Sequence, residues 1–523
     1  MLDFQKRLTN TFYAVLSLPA TAMGFGLVVQ IAALSWLLST KYGLNLQEIG
    51  LVWATGPLAG ILGQVIIGIV SDNVWVWNGR RRIFIWIGGV IAALGLLALP
   101  NIGLIQNVLG LEGVLGIAII VSLSIDLAIN VSFNPTRSLI ADVTPEGRPR
   151  TKGFSWMQTI SGSFGVLGYF IGAVFNNYVL IYFGVFLVFA FSILPPFFVK
   201  EPRVLGASGD KADAGNKEDL TDRVPPRTKT SLVEIMRTIL PLWGYLIYAI
   251  YIILTKITPM PRIPGYKLEM FAAALTVVLI FYTLARKEKG ISRSRDGVIG
   301  FRKVLAAHSF TWIGVQAMFI YFFSFVKYRI PELSGDTFDQ SYLATFLASA
   351  SDVQGFDDVK NLIGSITNWS FLSLNLVAAI IPVLLLEPVA ARYGRVKTHA
   401  TSLLFLTLGY LGLYFAGFSP ALIYTFMAVA GIGWAATISL PFAIMSQKIP
   451  QTKMGMYMGL FNLSVVLPQF VASFAVGEYL DQTANQASLF LICASTVAIS
   501  AILWYTVKEP VDVYTEHPLV MEE

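Results

Sequence analysis

The sequence predicts an all-α, polytopic membrane protein. Of its 523 residues, 55% are hydrophobic and only 13% are charged, and the mean hydropathy is +0.67. A soluble protein of this length carries about 25% charged residues, roughly twice as many. Apolar runs long enough to cross about 30 Å of hydrocarbon recur along the chain, and lysine and arginine are concentrated in alternate connections between them.

The apolar runs fall into three groups. Six precede residue 199, at 11–38, 48–70, 83–100, 111–134, 153–175 and 178–198. Two follow at 232–256 and 269–286, and one of these has the alternative of lying along the membrane interface. Six more occupy 309–327, 366–388, 400–418, 420–446, 455–478 and 487–507. The sequence therefore predicts about 14 transmembrane helices, in two groups of six with two additional helices between them.

The connections complete the predicted domain organisation. Residues 199–230 are rich in Lys, Asp, Gly and Pro, which predicts a flexible loop. The predicted units are an N-terminal six-helix bundle (1–198), a cytoplasmic loop (199–230), an inserted helix pair with its linker (231–305), a C-terminal six-helix bundle (306–508) and a cytoplasmic tail (509–523).

The positive charge is a topology signal. With a cytoplasmic N-terminus, 30 of the 37 lysines and arginines fall in cytoplasmic segments, as the positive-inside rule requires. The net charge of +6 is thereby explained without a nucleic-acid partner. We expect a cell membrane protein (inner or plasma membrane), surrounded by the lipid bilayer, with both termini cytoplasmic and no cleaved signal peptide.

Cysteine and histidine offer little chemistry. Cys493 is the single cysteine, so no intrachain disulfide can form. The three histidines lie far apart in sequence and match no metal-ligand spacing. A membrane-embedded enzyme would need a nucleophile with its base, or metal ligands, at membrane depth. We therefore expect neither an enzyme nor a metal or organic cofactor.

One span carries a polar stripe. Asp126 lies in the middle of the run 115–133, where a carboxylate costs several kcal/mol unless it is protonated, paired or hydrated. Asn130, Asn134 and Arg137 follow at intervals of four, eight and eleven residues, which places all four on one helix face. Such a stripe favours a transporter of protons or polar solutes.

Two segments at the cytoplasmic level predict a latch. Residues 68–82 read GIVSDNVWVWNGRRR, where Asp72 precedes Gly79, Arg80 and Arg81. The carboxylate can pair with the arginines or cap a neighbouring helix, although arginines at this level can also simply anchor the topology. Glu387, followed by Arg392, repeats the arrangement in the second half.

The layout and these motifs resemble known transporters. Two groups of six helices around a long cytoplasmic loop are typical of the major facilitator fold, whose halves rock around a central site. The segment from Asp126 to Met157 reads DLAINVSFNPTRSLIADVTPEGRPRTKGFSWM and, with the stretch 375–394, resembles the proton-coupled sucrose transporter family. That family belongs to the glycoside–pentoside–hexuronide branch of the major facilitator superfamily. The first helix keeps the family's glutamine as Gln30 but lacks its Trp and Ser, which leaves the identity of the sugar open.

The resemblance implies a function for the stripe. A proton-coupled symporter would import a disaccharide or α-glucoside, such as maltose or sucrose, by alternating access. Asp126 would take up and release the proton, because a low-dielectric cavity favours a neutral carboxyl and only the neutral acid can donate to a sugar hydroxyl. Arg137 lies about 16 Å further along the helix, so it would line the inner path or pair with another carboxylate. Asp142 matches the family's acidic residue at the cytoplasmic end of this helix and would join the latch.

Sugar recognition needs neutral amides and an aromatic platform. The candidates at membrane depth are the amides of Gln30, Asn130, Gln158 and Asn375 and the rings of Trp156, Tyr321 and Trp434. Each has a structural alternative, because amides also bond neighbouring membrane helices and aromatic rings also pack or form interfacial belts.

Two other transport functions stay open. A sodium-coupled glycoside carrier would use the same fold, although the sequence offers no further acidic residue close to Asp126 on its helix. A proton-driven exporter of small molecules would need a more apolar centre than these amides suggest. We expect the protein to act as a monomer.

Overall fold

The computed structural model describes residues 7–60, 79, 81–111, 113–144, 148–201, 232–288, 296–333, 357–449 and 454–509. Within these ranges the secondary structure is helical, and no strand occurs. The all-α prediction is confirmed.

The first half contains six helical segments and the inserted pair adds two. In chain order they are α1 (Asn10–Thr40), α2 (Leu46–Trp53, continuing over 55–60), α3 (Arg82–Leu109), α4 (Val114–Val143), α5 (Arg148–Val174), α6 (Asn177–Phe198), α7 (Leu232–Thr238 and Trp243–Ile257) and α8 (Lys267–Ala285). Helix α7 is broken, with a bend of 66° between its two pieces.

The second half contains the remaining segments. They are α9 (Asp296–Leu333), α10 (Asp357–Ile381, continuing through a π-helical turn at Pro382–Leu386 to Glu387–Tyr393), α11 (Arg395–Ala416), α12 (Pro420–Lys448), α13 (Met454–Phe470, a π-helical turn at Val471–Val476, then Gly477–Gln482) and α14 (Ser488–Trp504).

Each predicted span has a counterpart, but the count of 14 transmembrane helices is not confirmed. Among the described residues, 11 helices are long and apolar enough to cross a membrane, or 12 if the bent α7 is one span. Helix α2 is described only as far as Gly60, and α14 is shorter, with 17 residues.

The two halves repeat one packing scheme. Helix α1 packs on α5 and α6, and α3 on α4 and α6; in the second half α9 packs on α13 and α14, and α11 on α12 and α14. The tetrapeptide VKEP ends both halves, at 199–202 and 507–510. Its glutamate caps the third helix of its half in each case. Glu201 accepts from the Arg81 and Arg82 N–H groups at 2.9 and 3.0 Å.

Glu509 plays the same part in the second half. Its carboxylate accepts from the Arg395 and Val396 N–H groups at 2.6 and 2.9 Å. A carboxylate at a helix N-terminus satisfies unpaired N–H groups and complements the helix dipole. The end of each half is therefore attached to the start of that half's third helix.

The inserted pair packs against the second half. Helices α7 and α8 contact each other, α8 contacts α9, and α7 contacts α13. At one end Arg262 pairs with Glu269 at 2.7 Å and with Glu478 at 2.9 Å. At the other end Glu288 pairs with Lys448 at 3.1 Å. Ion pairs thus attach both ends of the insertion to the C-terminal half.

The described hydrogen bonds between the halves gather at one end of the molecule. We call this end the Lys41 side, because Lys41 follows α1 there. The Trp36 indole donates to the Lys360 carbonyl at 2.7 Å, and the Asn368 amide donates to Asn177 Oδ1 at 2.7 Å. Burial, and then the neighbouring Lys360 ammonium, lower the pKa of Lys41. The opposite end, which carries Arg81, is called the Arg81 side.

Glycines allow close approach across this contact. A Cβ on Gly172 would lie 2.5 Å from Asn368 Oδ1, and a Cβ on Gly50 would overlap the Ser473 carbonyl oxygen. Backbone oxygen cannot move aside as a flexible side chain can. The halves therefore meet on the Lys41 side at a distance that only glycine permits at position 50.

Candidate functional site: a buried carboxyl shared by three helices

Asp126 lies on α4 and is 8% exposed. Its Oδ1 accepts a hydrogen bond of 2.9 Å from Gln30 Nε2 on α1. Its Oδ2 accepts one of 2.8 Å from the Thr55 hydroxyl on α2. Three helices of the first half therefore meet at one carboxyl.

Local backbone features bring these helices together. Gln30 opens a π-helical turn in α1, Gln30–Leu34, and such turns are frequent at functional sites. Gly56 follows Thr55, and a Cβ at that position would already lie 3.5 Å from Asp126 Oδ2. The Trp53 indole donates to the Ser35 hydroxyl at 2.7 Å and fixes α2 against α1 beside the site.

The donors at the carboxyl are neutral. Among the described residues, the hydrogen bonds to the Asp126 side chain come from an amide and a hydroxyl, and no described ion pair involves it. An amide N–H can only donate, whereas a hydroxyl can donate or accept. The Thr55 hydroxyl can therefore donate to a carboxylate and accept from a protonated acid. The site tolerates both protonation states without a change of partners.

The rest of the stripe lies along α4. The Asn130 amide is half-buried and donates to the Asp126 carbonyl oxygen at 2.8 Å. Arg137 is exposed, with its guanidinium carbon 4.2 Å from the centre of the Phe133 ring. The side chain of Asn134 lies outside the described part of the structure.

The other predicted sugar contacts are spread over four helices. On α5, Gln158 is exposed and Trp156 is half-buried. On α10, the Asn375 amide donates to the Phe371 carbonyl at 2.9 Å. Among the described hydrogen bonds, Gln30 and Asn130 reach Asp126, and none joins these three residues to it.

Tyr321 and Trp434 lie in the second half. Tyr321 on α9 is fully buried, and its hydroxyl donates to the Ser473 carbonyl at 2.8 Å, next to the Gly50 contact. Trp434 on α12 is half-buried and packs edge to face against Phe319, with ring centres 5.4 Å apart.

Sequence reasoning missed two hydroxyls at the carboxyl. Thr55 lies 2.8 Å from Asp126 Oδ2 and 3.1 Å from the Ser122 hydroxyl, one turn before Asp126. The available signal was a hydroxyl residue in an apolar run directly before Gly56 and Pro57, two residues that favour a local break in a helix. Among the described residues, no group of three or more His, Cys, Asp or Glu residues could hold a metal ion.

Part of the predicted latch lies on the Arg81 side. Arg81 Nε is 3.1 Å from Asp142 Oδ2, which joins the start of α3 to the end of α4. Gly79 lies against Glu201, since a Cβ there would be 2.7 Å from Glu201 Oε1. Asp72 and Arg80 lie outside the described residues.

In the second half the described latch residues are fewer. The side chain of Glu387 lies outside the described part. Arg392 is exposed, with its guanidinium carbon 5.4 Å from the centre of the Tyr393 ring. Sequence reasoning did not single out Glu201 or Glu509, although the repeated VKEP was a visible signal.

Comparison with known proteins agrees with this architecture. The Major Facilitator Superfamily profile matches residues 16–473. The chain is similar to the general alpha-glucoside permease of Schizosaccharomyces pombe, with 35% identity over 136 residues, 25% of this chain and 24% of that protein. It is also similar to the sucrose transport protein SUC4 of Arabidopsis thaliana, with 27% identity over 186 residues, 32% of this chain and 36% of that protein. These matches therefore span about a quarter to a third of the relatives' length.

Solved structures extend the likeness in fold. The peptide transporter PepTSo aligns with a TM-score of 0.61 at 12% identity, covering 95% of this chain and 97% of that one. The nucleoside transporter NupG aligns with a TM-score of 0.55 at 13% identity, covering 95% of this chain and 99% of that one. At this identity the likeness concerns the fold.

The helical fold of two repeated halves, with 11 or 12 membrane-crossing helices among the described residues, is that of a multi-pass membrane transporter. The chain belongs to the Major Facilitator Superfamily.

Proposed function

We propose that this protein is a proton-coupled symporter that imports a disaccharide or another α-glucoside, such as maltose or sucrose, by alternating access. The observation that carries the proposal is the geometry at Asp126, a buried carboxyl with two neutral donors on two other helices. The names of the relatives, an alpha-glucoside permease and a sucrose transport protein, support the substrate class.

The coupling follows from hydrogen-bond chemistry. A protonated Asp126 can donate to a sugar hydroxyl while Gln30 and Thr55 keep their places at its oxygens. Loss of the proton turns the group into an acceptor only and removes that donor. Sugar affinity and protonation are then linked, so each favours the other by the same factor.

The direction of access follows from the predicted topology. If the N-terminus is cytoplasmic, the Lys41 side faces outward and the Arg81 side faces the cytoplasm. The described contacts between the halves at Trp36, Gly172 and Asn368 then close the outer path. Closure of the outer path is what a carrier requires while it releases proton and sugar to the cytoplasm.

A sodium-coupled carrier is the second candidate. The Thr55 hydroxyl lies 2.6 Å from the Val52 carbonyl oxygen, 3.1 Å from the Ser122 hydroxyl and 2.8 Å from Asp126 Oδ2. Oxygen atoms of this kind suit a hard cation. The two candidates differ in which gradient drives uptake.

Uptake in proteoliposomes separates them. Radiolabelled maltose and sucrose would be measured under an imposed pH gradient, with sodium absent, and under an imposed sodium gradient at equal pH. The proposal predicts accumulation with the pH gradient and its loss when a protonophore is added. Accumulation driven by sodium alone supports the second candidate, and no accumulation of either sugar under any gradient contradicts both.

A further inference from the structure

The C-terminal half carries its own polar and aromatic group on α9, α12 and α13. Gln469 Nε2 donates to Gln316 Oε1 at 3.1 Å. The indole rings of Trp312 and Trp434 meet edge to face, with centres 6.2 Å apart and planes at 81°. Trp312 precedes Gln316 by one helical turn, so the amide pair and the aromatic corner adjoin on one face of α9.

This group lies at the depth of Asp126. Helices α2 and α13 run side by side in opposite directions: Gly50 contacts Ser473, and a Cβ on Gly60 would lie 3.7 Å from Val466. Gly56, which touches the Asp126 carboxyl, comes six residues along that ten-residue stretch of α2. The level of Gly56 on α13 is therefore about residue 469. The amide pair therefore lies at the depth of the carboxyl, on the other side of the boundary between the halves.

Part of the pair's hydrogen-bonding capacity lies outside its mutual bond, with Gln316 buried and Gln469 half-buried toward the boundary between the helices. Their one described mutual bond uses Gln469 Nε2 and Gln316 Oε1. Gln469 Oε1 can still accept and Gln316 Nε2 can still donate, which matches a sugar hydroxyl that does both. A π-helical turn, Val471–Val476, begins two residues after Gln469, as one begins at Gln30 in the first half.

The aromatic corner keeps exposed surface. Trp312 and Trp434 are both half-buried, whereas the neighbouring Phe322 and Tyr321 are buried. A pyranose ring presents an apolar C–H face that packs on an indole, and its hydroxyls lie at the rim. A corner of two indoles beside two amides fits one such ring.

His308 fixes one wall of the corner. Its Nε2 accepts from Trp312 Nε1 at 2.9 Å, and its ring stacks on Phe461 with centres 4.9 Å apart and an angle of 17°. The histidine is buried, so it reaches the corner only through Trp312. It is a positioning residue for that indole.

We propose that Trp312, Trp434, Gln316 and Gln469 form the sugar subsite of the C-terminal half, which holds one glucopyranose ring of an α-glucoside while Asp126 engages the rest of the molecule. This assignment rests on the proposed function of the Asp126 site. The substrate then bridges the two halves at one depth, and the first half supplies the proton while the second supplies affinity for the ring.

The subsite is tested by measuring sugar binding and sugar transport with the purified full-length protein. Maltose and sucrose affinity would be measured by calorimetry in lipid nanodiscs, and KM and kcat by counterflow in proteoliposomes. The test variants are Trp434→Leu and Gln469→Leu. The matched controls are Trp243→Leu on the inserted pair, whose half-buried indole bonds the Met236 carbonyl, and Gln106→Leu on α3.

The subsite predicts at least tenfold weaker binding for both test variants, with a raised KM, an unchanged pH midpoint of uptake and control variants within twofold of wild type. His308→Phe should weaken binding, and His308→Gln, which restores an acceptor, should recover it. Size-exclusion profiles identify misfolded variants. If Trp434→Leu or Gln469→Leu misfolds, the same measurement is made on Trp434→Phe or Gln469→Asn.

Two further results overturn the assignment in distinguishable ways. If wild type binds sugar and the well-folded test variants bind within twofold of it, the subsite is wrong and the proposed function stands. If wild type neither binds nor transports any glucoside, the proposed function fails and the subsite fails with it.

Discussion

Replacing Thr55 with valine removes one of the two donors at Asp126 without changing the side chain's shape. The Thr55 hydroxyl lies 2.8 Å from Asp126 Oδ2 and 2.6 Å from the Val52 carbonyl oxygen, so its one proton is shared between two acceptors. Thr55 and Asp126 are both buried, at 5% and 8% exposure. A hydrogen bond to a charged group contributes about 1.5–3 kcal/mol. One pH unit corresponds to about 1.4 kcal/mol, so the full effect is about one to two units. Since Gln30 still serves Oδ1, we expect about one unit.

The direction in which the pH midpoint of uptake moves follows from the charge of the Asp126 carboxylate. The hydroxyl stabilises the carboxylate more than the protonated acid, because a hydrogen bond to a charged group is the stronger one. Its loss therefore favours the protonated acid. If sugar binds to the protonated form, the pH at which uptake is half-maximal moves upward, and uptake persists into more alkaline external medium.

The assay is initial-rate uptake of labelled sugar across external pH 5 to 9 in proteoliposomes. The matched control is Thr136→Val on α4, a buried threonine whose hydroxyl bonds the Phe133 carbonyl of its own helix at 2.8 Å. We expect the midpoint of the control to stay in place. A midpoint of Thr55→Val that also stays in place, or that moves to lower pH, would show that the Thr55 hydroxyl does not favour the carboxylate.

Two other predictions concern the contacts that open and close the molecule. Gly50→Ala should reduce transport at least tenfold, because its Cβ would overlap the Ser473 carbonyl oxygen and keep the two halves apart on the Lys41 side. Counterflow is compared with that of Gly116→Ala, where a Cβ meets nothing within 4 Å. Equal rates in the two variants would argue against the prediction. Arg81→Asp and Asp142→Arg should each slow transport several-fold, because each breaks the 3.1 Å ion pair. The double variant re-forms the pair with the charges exchanged and should recover part of the transport rate. A double variant slower than both single variants would show that the pair does not act as a latch.

The fold was largely predictable from the sequence, for a physical reason. Apolar runs must form helices in hydrocarbon because each backbone N–H and C=O needs a partner there. The helix bounds were less predictable: the run predicted at 309–327 is a helix over Asp296–Leu333, because a helix continues past the apolar segment wherever its backbone stays satisfied. The number of helices that can cross the membrane also depends on the length of each helix, and α14 has only 17 residues.

The site was partly predictable. A lone carboxyl in an apolar run identified Asp126, since the cost of burial makes such a residue stand out. Periodicity placed Asn130 on the same face of the helix. Thr55 escaped notice because a hydroxyl inside a membrane helix usually satisfies itself on its own backbone, and sequence alone does not tell which threonine bonds another helix.

The C-terminal group was harder still to find. Gln316 and Gln469 are 153 residues apart in the chain and are joined by one bond of 3.1 Å. Trp312 looked like any aromatic residue of a buried helix. Only the packing of α9 against α12 and α13 makes the pair and the corner one surface.

If Asp126 carries the coupling proton, Asp126→Asn should transport sugar without coupling it to the proton gradient. One proton moving through 100 mV supplies about 2.3 kcal/mol, which allows wild type to concentrate sugar some tens-fold. The variant keeps an oxygen for Gln30 or Thr55 but cannot titrate. Uphill uptake and sugar counterflow would be measured in the same proteoliposomes. This role of Asp126 predicts that the variant retains counterflow but equilibrates sugar without accumulating it. Accumulation at the wild-type level, with full dependence on the pH gradient, would contradict it.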